Sequence, residues 1–284
     1  MKKAIYFATA SLVFGLVAGC GGGNGSGTSA GATTLTGAVA DGYLVGATVF
    51  LDKNGNYQLD QGEPSAITDQ NGAYSLPVDP ADVGRYPIVA MVTKNVTIDK
   101  DTGTPVSSSY VISMPATAVS GALNSNFVSP MSSQLREMME TGKYATMQQA
   151  MSALSTKLGL PAGTNVLTDY MATNNQVMHT AAQNMASLMG SQMGQIITTS
   201  GSTSTVDVNR YRGMMGAVFS NISSIKGANS QSAMSTLMDS MMTNLPNITP
   251  GQPYRNMSTA FRGGMMGGSG GGMIIGTGGM MGMH

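Results

Sequence analysis

Close to residue 115 the chain changes its period, and that change limits what it can fold into. Before it, short runs rich in Val, Ile, Tyr and Thr alternate with Gly, Pro, Asn and Asp, the pattern of strands joined by turns. After it, apolar residues recur at intervals of three and four, the pattern of amphipathic helices. Methionine follows the same divide: two lie in residues 34–115, sixteen in 116–245 and seven in 246–284. Strands first and helices second, without βαβ alternation, predict a multidomain α+β chain.

In the first part the expected strands are Leu35–Ala40, Leu44–Leu51, Ala66–Thr68, Tyr74–Val78, Pro87–Thr93, Asn95–Ile98 and Val106–Met114. Their lengths suit an antiparallel β-sandwich, and Asn71-Gly72 predicts a hairpin turn because both residues accept positive φ. In the second part Ser129-Pro130 predicts a helix start, with serine as cap and proline at the first helical position. That helix should bury Met131, Leu135, Met138 and Met139 and stop at Gly142. Further helices are expected at Met147–Leu158, from Thr168 or Asp169 to Thr198, at Val206–Lys226 and at Gln231–Leu245. The long third helix carries a stripe of Met178, Ala182, Met185, Met189, Met193 and Ile196, best read as core with methionine as an adaptable filler. Its histidine, His179, reads as a helix-face or interhelical residue.

Charge and cysteine exclude several functions. The chain has 14 basic and 14 acidic residues, a net charge of zero, and only 10% charged residues. With no Lys/Arg cluster, nucleic acid is not an expected partner. One cysteine among 284 residues forbids an internal disulfide framework, a cysteine-based zinc site and covalent haem attachment. There is no phosphate-binding loop, and neither histidine lies in H-E-x-x-H. The expectation is a non-catalytic protein, with no small-molecule substrate identified.

The N-terminus runs Met1-Lys2-Lys3, then an apolar stretch from Ala4 to Ala18, then Gly19-Cys20. A basic start and an apolar run too short to span a bilayer are the parts of an export signal. The end of that run, Leu16-Val17-Ala18-Gly19-Cys20, resembles the lipobox of bacterial lipoproteins. The resemblance implies cleavage before Cys20 and acylation of its thiol and amine. It also implies an anchor in the lipid bilayer, and Gly21 after the cysteine resembles the outer-membrane address of Gram-negative lipoproteins. Each buried methylene adds about 0.8 kcal/mol, so several acyl chains hold far more firmly than one. The expected organisation is a signal peptide at 1–19, a lipidated cysteine and Gly/Ser tether at 20–33, a β-module at 34–115, a helical domain at 116–245 and a disordered Gly/Met-rich tail at 246–284.

The pattern Leu35-Thr36-Gly37, Gly46-Ala47-Thr48-Val49-Phe50-Leu51 and Thr68-Asp69-Gln70-Asn71-Gly72-Ala73-Tyr74-Ser75-Leu76 resembles prealbumin-like modules. These include the carboxypeptidase regulatory-like domains and the B-type repeats of bacterial surface proteins, and imply an Ig-like or prealbumin-like sandwich. Asp99 to Thr104, Ser129-Pro130-Met131 and Leu158 to Thr164 look like segments of large bacterial surface proteins in which a calcium-type β-module precedes a helical region. A structural or adhesion role in the cell envelope is what these resemblances imply, with other envelope or surface proteins as partners.

Two stretches carry candidate metal ligands. In the twelve residues from Asp52 to Glu63, oxygen-bearing side chains of Asp52, Asn54, Asn56, Gln58, Asp60 and Glu63 fall at positions one, three, five, seven, nine and twelve. Calcium, a hard cation, takes six to eight oxygens, and this alternation can supply them. Tyr57 stands where the helical calcium hand needs glycine, so a loop between strands is expected, with Leu59 against the core. A polar surface loop rich in turn-forming Asp and Asn is the alternative. In the tail, Met265, Met266, Met273, Met280, Met281, Met283 and His284 lie among glycines. Thioethers and imidazole suit cuprous copper, which gives an envelope copper-binding protein as the alternative function; a low-complexity tail without ligand is the plainer reading.

Overall fold

The computed structural model describes residues 31–200, 203–226, 235–236 and 239–240. In chain order its strands are β1 (Thr33–Val39), β2 (Leu44–Val45), β3 (Thr48–Leu51), β4 (Ser65–Ile67), β5 (Ala73–Val78), β6 (Ile88–Val92), β7 (Ile98–Asp99), β8 (Thr104–Pro105), β9 (Tyr110–Met114), β10 (Asn126–Val128), β11 (Ile197–Ser200) and β12 (Thr203–Val206). The helices are α1 (Pro130–Glu140), α2 (Met147–Leu158), α3 (Gln176–Ile196), α4 (Val208–Ser220) and α5 (Ile222–Lys226). None of the described helices is long and apolar enough to cross a membrane.

Period-two alternation builds the first sheet, ordered β10-β1-β5. Leu35, Gly37 and Val39 of β1 are buried, as are Tyr74, Leu76 and Val78 of β5, and the residues between them face outward. Antiparallel pairing sets Leu35 opposite Leu76. On its other side β1 pairs in parallel with β10, Gly37 opposite Asn126. Glycine is required there: a Cβ on Gly37 would stand 1.9 Å from the Asn126 carbonyl oxygen.

The second sheet, β4-β3-β6-β9, is antiparallel throughout. All five residues of β9 are buried, and so are four of the five in β6. Burial of both residue parities means that both faces are covered, which explains why these strands read as continuous apolar runs. Helices α1 and α3 pack against β9. Tyr211 of α4 donates its hydroxyl to the Val111 carbonyl at 2.9 Å. Strands and helices thus feed one continuous core, from Leu35 and Phe50 through Met131 and Leu135 to Met185, Met189 and Met215.

The expected break near 115 is therefore bridged by packing. The chain crosses it to place β10 beside β1, and Ser113 and Ser129 form an isolated bridge. Ser132 Oγ donates to the Ser113 carbonyl at 2.6 Å, and Ser133 Oγ accepts from the Ser113 amide at 2.7 Å. By contacts all of these described elements belong to one compact unit that begins at Gly31.

Several local expectations need correction. Asn71-Gly72 does turn the chain, and Gly72 has φ +73°. It does not close a hairpin, because β4 pairs with β3 while β5 pairs with β1. Asp69 accepts the amides of Asn71 and Ala73 with its own carboxylate, and the chain passes from one sheet to the other. Gly46, at φ +78°, splits the expected strand at Leu44–Leu51 into β2 and β3. Helix α3 begins after Asn175, not near Asp169. Asp169 instead caps a turn by accepting the amides of Met171 and Ala172, and Asn174 takes positive φ. The expected Val206–Lys226 helix is interrupted at Asn221, and the β11–β12 ribbon was not anticipated. Helices α1 and α2 match expectation closely, each with a reciprocal capping box, and α2 ends at left-handed Gly159. The helix expected at Gln231–Leu245 lies largely outside the described residues.

Candidate functional site

The loop from Asp52 to Glu63 leaves β3 and returns towards β4, and its own side chains organise it. Asp52 Oδ1 accepts the amides of Gly55 at 2.8 Å and Asn56 at 3.1 Å, and Oδ2 accepts that of Tyr57 at 3.3 Å. Glu63 ties the two ends together, accepting the amides of Lys53 at 2.7 Å and Asp60 at 3.0 Å. Asn54 and Asn56 both donate their side-chain amides to Asp60 Oδ2, each at 2.7 Å. Asn56 Oδ1 in turn accepts the Gln58 amide at 2.9 Å. The predicted ligand side chains of Asp52, Asn54, Asn56, Asp60 and Glu63 thus bond within the loop. Gln58 joins the set through its backbone.

The core contact expected of Leu59 is made by Tyr57 instead. Leu59 is 40% exposed, whereas Tyr57 has no exposed surface. Tyr57 holds φ +62°, a left-handed conformation that costs a non-glycine residue roughly 1–2 kcal/mol. Packing of the ring offsets that cost. It lies 4.5 Å from the Tyr211 ring, centroid to centroid, and the Arg136 guanidinium sits 3.9 Å from its centre. Its hydroxyl donates to Glu137 Oε1. The loop is therefore plugged into the core by an aromatic side chain at the position where glycine would have made the turn easily.

Beneath the plug lies a buried ionic network that local sequence does not announce. Arg136 of α1, 1% exposed, donates from Nη2 to Asp52 Oδ2 at 3.0 Å and from Nε to Glu140 Oε1 at 2.8 Å. Arg212 of α4 donates to Glu140 and stands 3.5 Å from Glu137 Oε2. Burial, with Glu140 nearby, pushes the Glu137 carboxyl up to about 7, against the opposing pull of Arg136, Tyr57 and Arg212. Arg136 Nη1 and Glu137 Oε2 have no hydrogen-bond partner. One signal could have pointed here: an aromatic residue at a loop position that needs positive φ must be held by something worth the strain.

As a calcium site the loop offers the right chemistry, hard oxygens from carboxylates and carboxamides. Asp52 is committed to three amides and Arg136. Asn54, Asn56 and Glu63 also accept backbone amides and Asp60 accepts two carboxamides, so a cation held by these four side chains would share or replace those bonds. No group of three His, Cys, Asp or Glu gathers at metal-binding spacing among the described residues. The other predicted sites, Cys20 and the tail residues Met265, Met266, Met273, Met280, Met281, Met283 and His284, lie outside the described residues. His179 sits on α3, its Nε2 2.6 Å from Asp101 Oδ2, with its ring stacked on Tyr170. No family model, curated protein or solved structure matches this chain.

Proposed function

We propose that the chain is a bacterial lipoprotein, anchored in the outer membrane through acylated Cys20. Its folded unit serves a non-catalytic structural or adhesive role in the envelope. The β part is an Ig-like or prealbumin-like module, and calcium bound by the 52–63 loop stabilises it. The observation that carries this reading is the convergence of Asn54 and Asn56 on Asp60 Oδ2 inside a loop whose ends Glu63 ties together.

That arrangement gathers side chains about the Asp60 carboxylate. Two carboxamides meet it through their N–H groups, and a half-turn about χ2 would present their oxygens instead. Asn54, Asn56, Asp60 and Glu63 would hold the cation, with water completing a shell of six to eight oxygens. Asp52 keeps the task of pinning the loop amides and Arg136. Calcium would supply charge that relieves the repulsion between Asp60 and Glu63.

Titration calorimetry of the chelator-treated mature protein tests this reading. Calcium should bind at one site in the range of about 10⁻⁴ to 10⁻³ M usual for extracellular modules. Asp60→Ala with Glu63→Ala should abolish the heat. Absence of binding in the wild-type protein at millimolar calcium would reject it.

A further inference from the structure

Between the β7–β8 ribbon and α3 lies a cleft of about 520 Å³, within the range of roughly 300–1,000 Å³ that suits small organic ligands. Its walls are hydroxyl-rich, with Thr102, Thr104, Ser107 and Ser108 on one side and Ser187 and Ser191 of α3 on the other. Gly190 lets α3 come close, since a Cβ there would stand 3.0 Å from Ser108 Cβ. None of the side chains that line the cleft is basic.

The acidic end is built from three elements. Asp41 is 9% exposed and lines the cleft. Its Oδ2 accepts the Tyr110 hydroxyl at 2.6 Å, whereas its Oδ1 has no hydrogen-bond partner. Asp99 lines the same cleft, and its Oδ1 accepts the Asp101 amide at 2.9 Å. A Cβ on Gly42 would stand 2.6 Å from Asp99 Oδ1 and 2.4 Å from Asp101 Oδ2, so the residue after Asp41 must be small for these carboxylates to converge. Asp101 Oδ2 is hydrogen-bonded from α3, by His179 Nε2 at 2.6 Å and Gln183 Nε2 at 2.9 Å. Among the described residues, no hydrogen bond from α3 reaches the carboxylates of Asp41 or Asp99, whose partners are the Tyr110 hydroxyl and the Asp101 amide.

A buried carboxyl oxygen without a partner costs free energy that a ligand donor would recover. We infer that this cleft binds a small hydroxylated organic cation, an amino polyol or amino sugar, with its ammonium on Asp41 and Asp99 and its hydroxyls on the serine and threonine walls. An anion would meet two carboxylates and no base. The cleft is far larger than an ion needs, and the carboxylates do not gather at metal-binding spacing. Burial, with Asp99 and Asp101 close by, pushes the Asp41 carboxyl up to about 7. An incoming ammonium favours the ionised form, so binding near neutral pH expels protons to solvent.

The test is calorimetry on the full mature chain in detergent at pH 7. The probe is N-methylglucamine; sorbitol has the same polyol chain without the ammonium, and putrescine has ammonium groups without hydroxyls. N-methylglucamine should bind saturably, roughly tenfold or more tighter than sorbitol, the worth of one charge-assisted hydrogen bond. Heats measured in buffers of different ionisation enthalpy should report proton release. Asp41→Asn and, separately, the half-buried Asp99→Asn should each weaken binding by a similar factor while the melting temperature stays close to that of the wild-type protein. The inference is overturned by equal binding of sorbitol, by putrescine binding without N-methylglucamine, or by no binding of either amine. It is equally overturned if both variants bind as the wild type does, or if calcium displaces the amine and loses that ability in Asp41→Asn.

Discussion

The guanidinium of Arg136, on the first helix, donates to the carboxylate of Asp52, in the loop after the third strand, over 3.0 Å, and both side chains are shielded from water. Through this pair the loop and the helical layer hold one another in place. Arg136 simultaneously covers the ring of Tyr57, so a single side chain fixes both the charged and the aromatic footing of the loop.

Breaking one member of a buried pair leaves the other charge uncompensated. Arg136→Met should therefore destabilise the protein by about 3–5 kcal/mol, and Asp52→Asn by a somewhat smaller amount. The double variant should recover part of the loss, because neither charge then remains. Urea unfolding of the four proteins in a double-mutant cycle measures this, and strict additivity would contradict the coupling.

Glu137 predicts a pH dependence with a definite sign. Its carboxyl is raised from 4.5 to about 7 in the folded state, so the native protein holds a proton that the unfolded chain has released. Its contribution to stability is complete below about pH 4.5 and is lost as pH rises to about 7, by on the order of 3 kcal/mol. Asp41 titrates in the same window, so the comparison must be with Glu137→Gln. The stability of that variant relative to wild type should climb across pH 4.5 to 7 and level off above it. A constant difference at all pH values would contradict the prediction.

Gly37→Ala would drive a Cβ into the carbonyl of Asn126. Backbone cannot move aside as a flexible side chain can, so a loss of about 3 kcal/mol is expected, at the upper end for overpacking. Hydrogen exchange should show the amides of Phe127 and Val128 losing protection before those of β3 and β6. Equal protection in variant and wild type would mean that the parallel pairing does not depend on this glycine.

Cys20→Ser removes the only thiol in the chain. Metabolic labelling with a fatty-acid analogue should mark the wild-type protein and leave the variant unlabelled, in a released or unprocessed form. Label retained on the variant would reject the lipid anchor.

What could be read from the sequence was what local pattern encodes. Ser129-Pro130 and Gly159 marked helix ends because caps act within one turn, and the run Leu35–Ala40 marked a strand because its residue types suit one. The loop's polar side chains, which bond to one another and to its amides, were visible because they alternate along it. The third helix was started too early because Asp169 and Asn175 both cap, one a turn and the other a helix, and only the left-handed Asn174 separates them. Strand β10 went unseen because its partner β1 lies about ninety residues earlier and its three residues carry no period of their own. Arg136 and Glu137 could not be picked out, since nothing nearby in sequence says that Asp52 and Tyr57 will cover them. Asp41 escaped notice for the same reason: the partners that bury it, Tyr110 and Tyr170, come from distant segments.

The claim that most needs testing is that calcium stabilises the 52–63 loop, and thermal melting of the chelator-treated protein with and without millimolar calcium tests it most directly. At ten times its dissociation constant a ligand specific for the folded state adds about 1.4 kcal/mol, which for a unit of this size raises the melting temperature by roughly 3–6 °C. The comparison variant carries Asp60→Ala and Glu63→Ala and keeps Asp52, whose loss would strand the buried Arg136. A rise in the wild-type protein that is absent from this variant is the predicted result; an unchanged wild-type melting temperature, or the same rise in both proteins, would contradict it.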